Sequence, residues 1–240
     1  MRNISLLLVV FALALTACSG AAETPAQPTE APAATAALVQ PTEPLQVVPT
    51  EPPAAPEAPA AGPTTYKIVP GESTVTYEVG ETFFNQNNRF NLAVGVTSQV
   101  AGEVQLDAAN PQGAQVSPIT IDISQFQSDS NRRDERIRQQ WLESARYPTA
   151  TFTPTSIDGL PATYTEGQPL TFTMTGDLTV KETTKPVTFD VTATLQGGVL
   201  AGTATTNILL SDFGVGPIEI AGMLGTEDGA KLTLAFVARP

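Results

Sequence analysis

Between residues 170 and 195 the chain alternates almost without exception. Leu170, Phe172, Met174, Gly176, Leu178 and Val180 take every second position, with Thr171, Thr173, Thr175, Asp177 and Thr179 between them. After a short polar break the pattern resumes, with Val187, Phe189, Val191, Ala193 and Leu195 set against Thr188, Asp190, Thr192 and Thr194. A period of two places one set on each face of a strand. The spacing predicts a long antiparallel hairpin turning over residues 181–186, with Pro186 at the first position of its second strand. One face of that hairpin is apolar and needs a cover. The cover is another sheet, the far wall of a barrel, or a ligand.

Composition narrows the chemistry. A net charge of −12 argues against nucleic acid, since binding phosphates calls for a basic surface. The chain has no histidine and a single cysteine, which removes most metal sites and most nucleophile–base pairs. One cysteine also forbids an intrachain disulfide. Adjacent carboxylates such as Asp134-Glu135 and Glu227-Asp228 do not make an acid–base pair without a pocket. No catalytic residue, no metal and no cofactor is therefore expected, and the chain is read as a non-enzyme. Threonine, glycine and proline in quantity favour an all-β fold rich in turns.

The chain divides into three parts. Residues 1–18 read as a targeting segment: Arg2 gives a positive start, and residues 4–15 form an apolar run too short to span a bilayer. The run ends in Leu15-Thr16-Ala17-Cys18, which resembles the lipobox of bacterial lipoproteins. That resemblance implies cleavage before Cys18, acylation of its thiol and an extracytoplasmic, membrane-anchored protein in the periplasm or at the cell surface. An ordinary secretory signal that happens to contain a cysteine is the alternative. Residues 19–64, mostly Ala, Pro, Thr and Glu without Lys or Arg, read as a disordered tether, because such a segment buries too little apolar surface to offset the entropy of folding. As polyproline II it reaches at most about 140 Å. Residues 65–240 form the folded part, with 11 basic against 19 acidic residues.

Within that part, alternation marks strands at 74–79, 90–96, 100–106, 119–124, 149–157, 199–210 and 231–238, besides the two at 170–195. Residues 211–230 are Gly-rich and aperiodic and read as a long loop. The period changes once. Ile137, Trp141, Leu142 and Ala145 share one face of a helix over 131–145, with Ser130 or Asn131 as cap and Asp134 and Glu135 in its first turn. About eight strands and one amphipathic helix suit an up-and-down barrel, filled by side chains or holding one small ligand. Periodicity alone leaves a β-sandwich open.

Four stretches, in this order, resemble the YceI-like family of bacterial periplasmic and secreted proteins. Tyr66-Lys67-Ile68-Val69-Pro70-Gly71-Glu72-Ser73 is similar to the family's start, with Glu72 where the family has histidine. Arg133-Asp134, Trp141-Leu142-Glu143 and Tyr147-Pro148-Thr149-Ala150-Thr151-Phe152 resemble its helix and following strand entry. Gly176-Asp177-Leu178-Thr179-Val180 with Thr184-Lys185-Pro186-Val187 resembles its hairpin. Ser211-Asp212-Phe213-Gly214-Val215 resembles a segment near its end, with Leu210 where an arginine often stands. The resemblance implies an all-β, lipocalin-like antiparallel barrel whose apolar lumen binds a long isoprenoid lipid or similar amphiphile.

On that reading Phe172, Met174, Leu178, Phe189, Val191 and Leu195 line the lumen. Each buried isoprene unit contributes about 3–4 kcal/mol before binding costs. Arg132, Arg133 and Arg136, part of a run with Arg138 and Arg146, are the candidates for an anionic head group, since guanidinium suits phosphate oxygens. The bland counterpart of the arginine run is a solvated face paired with Asp134, Glu135 and Glu143. Trp141 is a packing anchor or a ligand platform, and Phe83, Phe84 and Phe90 gate an opening or close the core. Asp212-Phe213-Gly214 also spells a kinase motif, but no phosphate loop or catalytic-loop signature accompanies it. Two functions stay open: a membrane-anchored binder of an isoprenoid-type lipid, and a surface protein-binding or scaffold module with a packed, ligand-free core.

Overall fold

The structure is a computed structural model describing residues 62–240. The targeting segment, Cys18 and nearly all of the expected tether lie outside the described residues. In chain order the strands are β1 (Thr64–Ile68), β2 (Thr74–Phe83), β3 (Arg89–Thr97), β4 (Val100–Ala101), β5 (Glu103–Leu106), β6 (Gln115–Val116) and β7 (Ile119–Asp122). After the helix α1 (Asn131–Arg136) come β8 (Thr149–Asp158), β9 (Leu170–Val180), β10 (Thr183–Gln196), β11 (Val199–Leu209), β12 (Glu219–Ile220) and β13 (Leu224–Arg239).

Pairing runs β4–β7–β8–β9–β10–β11–β13 and continues from β13 to β2 and β3. Only Ser98 and Gln99 separate β3 from β4, so the two ends of the curled sheet are consecutive pieces of one bent strand. Mutual backbone hydrogen bonds between Val96 and Gln127, 2.8 and 2.9 Å, close the seam beside that bend. With β3–β4 taken as one stave, the wall is antiparallel and has the expected eight, the size whose interior side chains can fill or a small ligand can share. At one end β1, β5 and β6 extend the wall, with β1 pairing the last residues of β13 and all of β5.

The alternation of the central hairpin translates directly into inside and outside. On β10, Val187, Phe189, Val191, Ala193 and Leu195 are buried while Thr188, Asp190 and Thr192 are exposed. On the wet face, hydroxyls of Thr175 and Thr188, and of Thr179 and Thr184, meet at 2.9 Å across the strands, the cross-strand pairing that supports a sheet. Inside, the Phe152 ring packs edge-on against Phe189, centroids 4.9 Å apart. Gly176 permits this, because a Cβ there would stand 2.4 Å from the Thr153 carbonyl oxygen and 2.8 Å from the Phe152 ring. Gly95 likewise leaves room for the Tyr77 ring.

Four local expectations change. The hairpin turns over Lys181 and Glu182 alone, so Pro186 is the fourth residue of β10 instead of its first. It is tolerated because β10 there pairs only with β9, and an unpaired edge accepts a missing N–H. The region expected as a loop at 211–230 contains a short turn at Ser211–Phe213, all of β12 and nearly half of β13. A bulge between Thr226 and Ala230 shifts the alternation there, which hides the strand from a period-two reading. The strand expected at 119–124 stops at Asp122, whose carboxylate accepts from the Ser124 backbone and opens a 3-10 turn. Finally, the helix is short: α1 passes into a π-turn over Ile137–Trp141, and Glu143, at φ +49°, ends it. Ala145 therefore lies beyond the helix and is exposed, while Ile137, Trp141 and Leu142 still face inward. Ser130 caps it as expected.

Candidate functional site

The inward residues do not fill the barrel. Under the helix lies an outer cavity of about 180 Å³. Strand side chains such as Val75, Ile121, Phe152, Leu178 and Phe189 form its walls, and Ile137, Trp141 and Leu142 roof it. Deeper in, a second cavity of about 70 Å³ is bounded by Ile68, Val104, Ile157, Phe172, Val191 and Phe236, among others. Both walls are nearly all hydrocarbon, so what they can do is shelter an apolar chain from water. Among the described residues no cluster of three or more His, Cys, Asp or Glu is placed to hold a metal.

The hairpin residues singled out from the sequence separate by depth. Leu178 and Phe189 line the outer cavity, Phe172 and Val191 the inner one, and Met174 lines both. Leu195 is buried in the same core but borders neither space.

The outer cavity opens toward a mixed mouth of about 310 Å³, with Arg132, Arg133, Arg136, Glu81, Asn85 and Gln86 set among apolar side chains such as Ile220 and Met223. All three arginines named from the sequence meet here, yet they differ in commitment. The guanidinium of Arg133 donates to both oxygens of Glu81, at 3.0 and 2.9 Å, and also to Asp129 and Ser128. Burial works against its charge, but these carboxylates outweigh it and hold the group firmly protonated. The same contact keeps the Asp129 carboxyl below its usual range. Arg133 is thus a strut between the helix and β2. Arg132 and Arg136 make no ion pair among the described residues and remain available to an anionic group.

Glu81 is the residue the sequence reading missed. It is 5 % exposed, facing inward at the mouth. The signal was present, because Val75, Tyr77, Val79 and Glu81 keep one period along β2, but the expected strand ended at 79. Below it, Tyr77 packs edge-on against Phe126, centroids 5.1 Å apart. Burial, reinforced by the charge of Asp134, pushes its phenol up to about 12. Asp134, expected as an exposed first-turn acid, is buried instead and accepts from the backbone and hydroxyl of Ser128.

The helix is held at two further points. Arg138 donates to the Phe126 carbonyl, and the ammonium of Lys181, at the hairpin turn, reaches the Trp141 carbonyl and Glu143. Trp141 lines both the outer cavity and the mouth. Phe83 borders the mouth while Phe84 and Phe90 are exposed. The two departures from the family pattern also find places. Glu72 forms a bidentate pair with Arg239 at the far end of β13 from the mouth. Leu210 lines the outer cavity with Phe213 and Val215, keeping that wall apolar.

Comparison with known proteins agrees with this fold. The family model described as YceI-like domain matches residues 66–238. Protein YceI of Salmonella newport (strain SL254) is 31% identical over 162 residues, covering 63% of this chain and 80% of that protein. Among solved structures, Burkholderia cenocepacia BcnA superposes with a TM-score of 0.55 at 23% identity, covering 71% of this chain and 98% of BcnA. A polyisoprenoid binding domain from Saccharophagus degradans, described as implicated in plant cell wall breakdown, gives a TM-score of 0.52 at 12% identity. It is covered over 97% of its length by 72% of this chain. These two similarities speak to the fold.

Proposed function

This chain belongs to the YceI-like family, and we propose that it binds an isoprenoid-type lipid, with the tail in the lumen and the polar head beside Arg132 and Arg136. One observation carries the reading: an apolar-walled cavity inside the barrel opens onto a mouth bearing two arginines that make no ion pair among the described residues. The polyisoprenoid binding of the Saccharophagus degradans domain supports the same ligand class. Binding is non-covalent and hydrophobic, and the protein sequesters or carries its lipid without chemical change. Acylation of Cys18 and a tether would place the barrel outside the cytoplasm, anchored to a membrane, with a lipid source at hand.

The test is direct. Purified protein is extracted with organic solvent and the extract identified by mass spectrometry, with Arg132→Gln/Arg136→Gln prepared in parallel. A polyprenyl lipid near one per chain is expected from the parent protein, with reduced occupancy for an anionic lipid in the double variant. Absence of any lipid, together with no uptake of added polyprenyl lipid, overturns the proposal.

A second reading rests on the exterior. Phe90, Leu92, Val94 and Val96 are exposed along one face of β3, and β3 pairs only with β2 over most of its length. Such an edge suits a protein-binding module. On that reading Leu92→Lys abolishes partner binding while Phe189→Ala leaves it intact.

A further inference from the structure

The two cavities in the barrel touch at a ring of four residues. Ile119, Met174, Ala204 and Leu234 line both spaces. They come from β7, β9, β11 and β13, and each is at least nine-tenths buried. Above the ring, Met174's cross-strand partner Phe189 faces the outer cavity; below it, its other partner Ile157 faces the inner one. Three ring members are branched or small and stiff. Met174 alone is unbranched with three rotatable side-chain bonds, the residue type that fills irregular gaps and moves aside most readily.

The volumes give the ring a length scale. At about 10–15 Å³ for each water-sized position, the outer cavity offers about 12–18 positions and the inner one about 5–7. At about one carbon per position, the outer cavity holds a tail of about three isoprene units and the inner one about one more. A tail entering from the mouth fills the outer cavity first and meets the ring next.

Resting on the lipid-binding reading above, we propose that the ring of Ile119, Met174, Ala204 and Leu234 measures the length of the bound tail, with Met174 as its movable member. Tails of about three units rest above the ring. Longer tails reach the inner cavity only when the Met174 side chain swings aside, and part of their binding energy goes into that displacement. The site therefore discriminates by length at one point, not gradually along the lumen.

Two prenyl alcohols test this, because farnesol and geranylgeraniol share a head group and differ by one isoprene unit. Full-length protein stripped of lipid is titrated with each, reading the fluorescence of Trp141, the only tryptophan in the chain, which borders the outer cavity. The quantity of interest is the affinity ratio of geranylgeraniol to farnesol. Met174→Ala widens the ring and is expected to raise that ratio about tenfold, since burying an extra isoprene unit no longer requires displacing a side chain. Ala204→Val narrows the ring from β11, two strands along the wall from Met174, and is expected to lower it. Opposite shifts in two variants cannot come from misfolding, which weakens both alcohols together. A ratio that stays at the parent value in both variants overturns the length-measuring ring while leaving the lumen reading standing. Failure of the parent protein to bind either alcohol overturns the lumen reading, and this inference with it.

Discussion

Tyr77 shows how much one inward side chain can carry. Its ring rests on Phe126, occupies the space that Gly95 leaves empty, and helps wall the outer cavity. Burial first, then the nearby carboxylate of Asp134, raises its phenol to about 12 from the usual 10. A raised folded-state value means that the neutral phenol is favoured in the barrel. The resulting stability is fully present below pH 10 and is lost as pH rises toward 12. Thermal melts across that window are expected to fall steeply for the parent and more gently for Tyr77→Phe. At neutral pH the substitution keeps the ring and costs less than about 1 kcal/mol. Equal alkaline slopes would show that this phenol titrates normally. Beside it, Arg133 and Glu81 illustrate a different rule. A largely buried pair contributes little net stability, but removing one partner alone strands the other charge and costs about 3–5 kcal/mol.

The short helix gains its place from its attachments more than from its own propensity. Six α-helical residues followed by a π-turn are too few to persist alone in water. Arg133 ties the segment to β2, Arg138 to the loop carrying Phe126, and Lys181 to the turn of the central hairpin. The hairpin that supplies the lumen wall therefore also holds the roof over it. Lys181 sits at φ +56°, a backbone conformation that asparagine accepts. Lys181→Asn keeps the turn and removes the strut. Hydrogen exchange is expected to quicken over residues 137–147 while the amides of β9 and β10 stay protected, at a stability cost of about 1 kcal/mol. Unchanged exchange in that segment would mean that the roof is held by apolar packing alone.

At the scale of the whole molecule, the barrel is a wall around incompletely filled space. Empty apolar volume costs stability because the lining side chains lose contacts, so an occupant should stabilise the fold. Lipid at a hundred times its dissociation constant adds about 2.7 kcal/mol, which for a domain of this size raises Tm by roughly 5–10 °C. Melts of lipid-stripped and reloaded protein measure this, and identical curves would argue for a core indifferent to ligand. By itself the sequence determined which residues of the central hairpin face inward. A period of two is a local property, and Leu170–Val180 and Val187–Leu195 follow it almost without a break. The sequence also carries no histidine and a single cysteine, the residues that most zinc sites and most nucleophile–base pairs use. The motifs in order carried the family and, through it, the barrel. The tertiary structure alone decided that Glu81 binds Arg133 and leaves Arg132 and Arg136 available, because that contact joins residues 52 positions apart. It decided the bulge that conceals the start of β13, and it split the hairpin's apolar face between two cavities at Met174. Cavity shape depends on how side chains from opposite walls meet across the lumen, and alternation along one strand carries no information about the wall it faces.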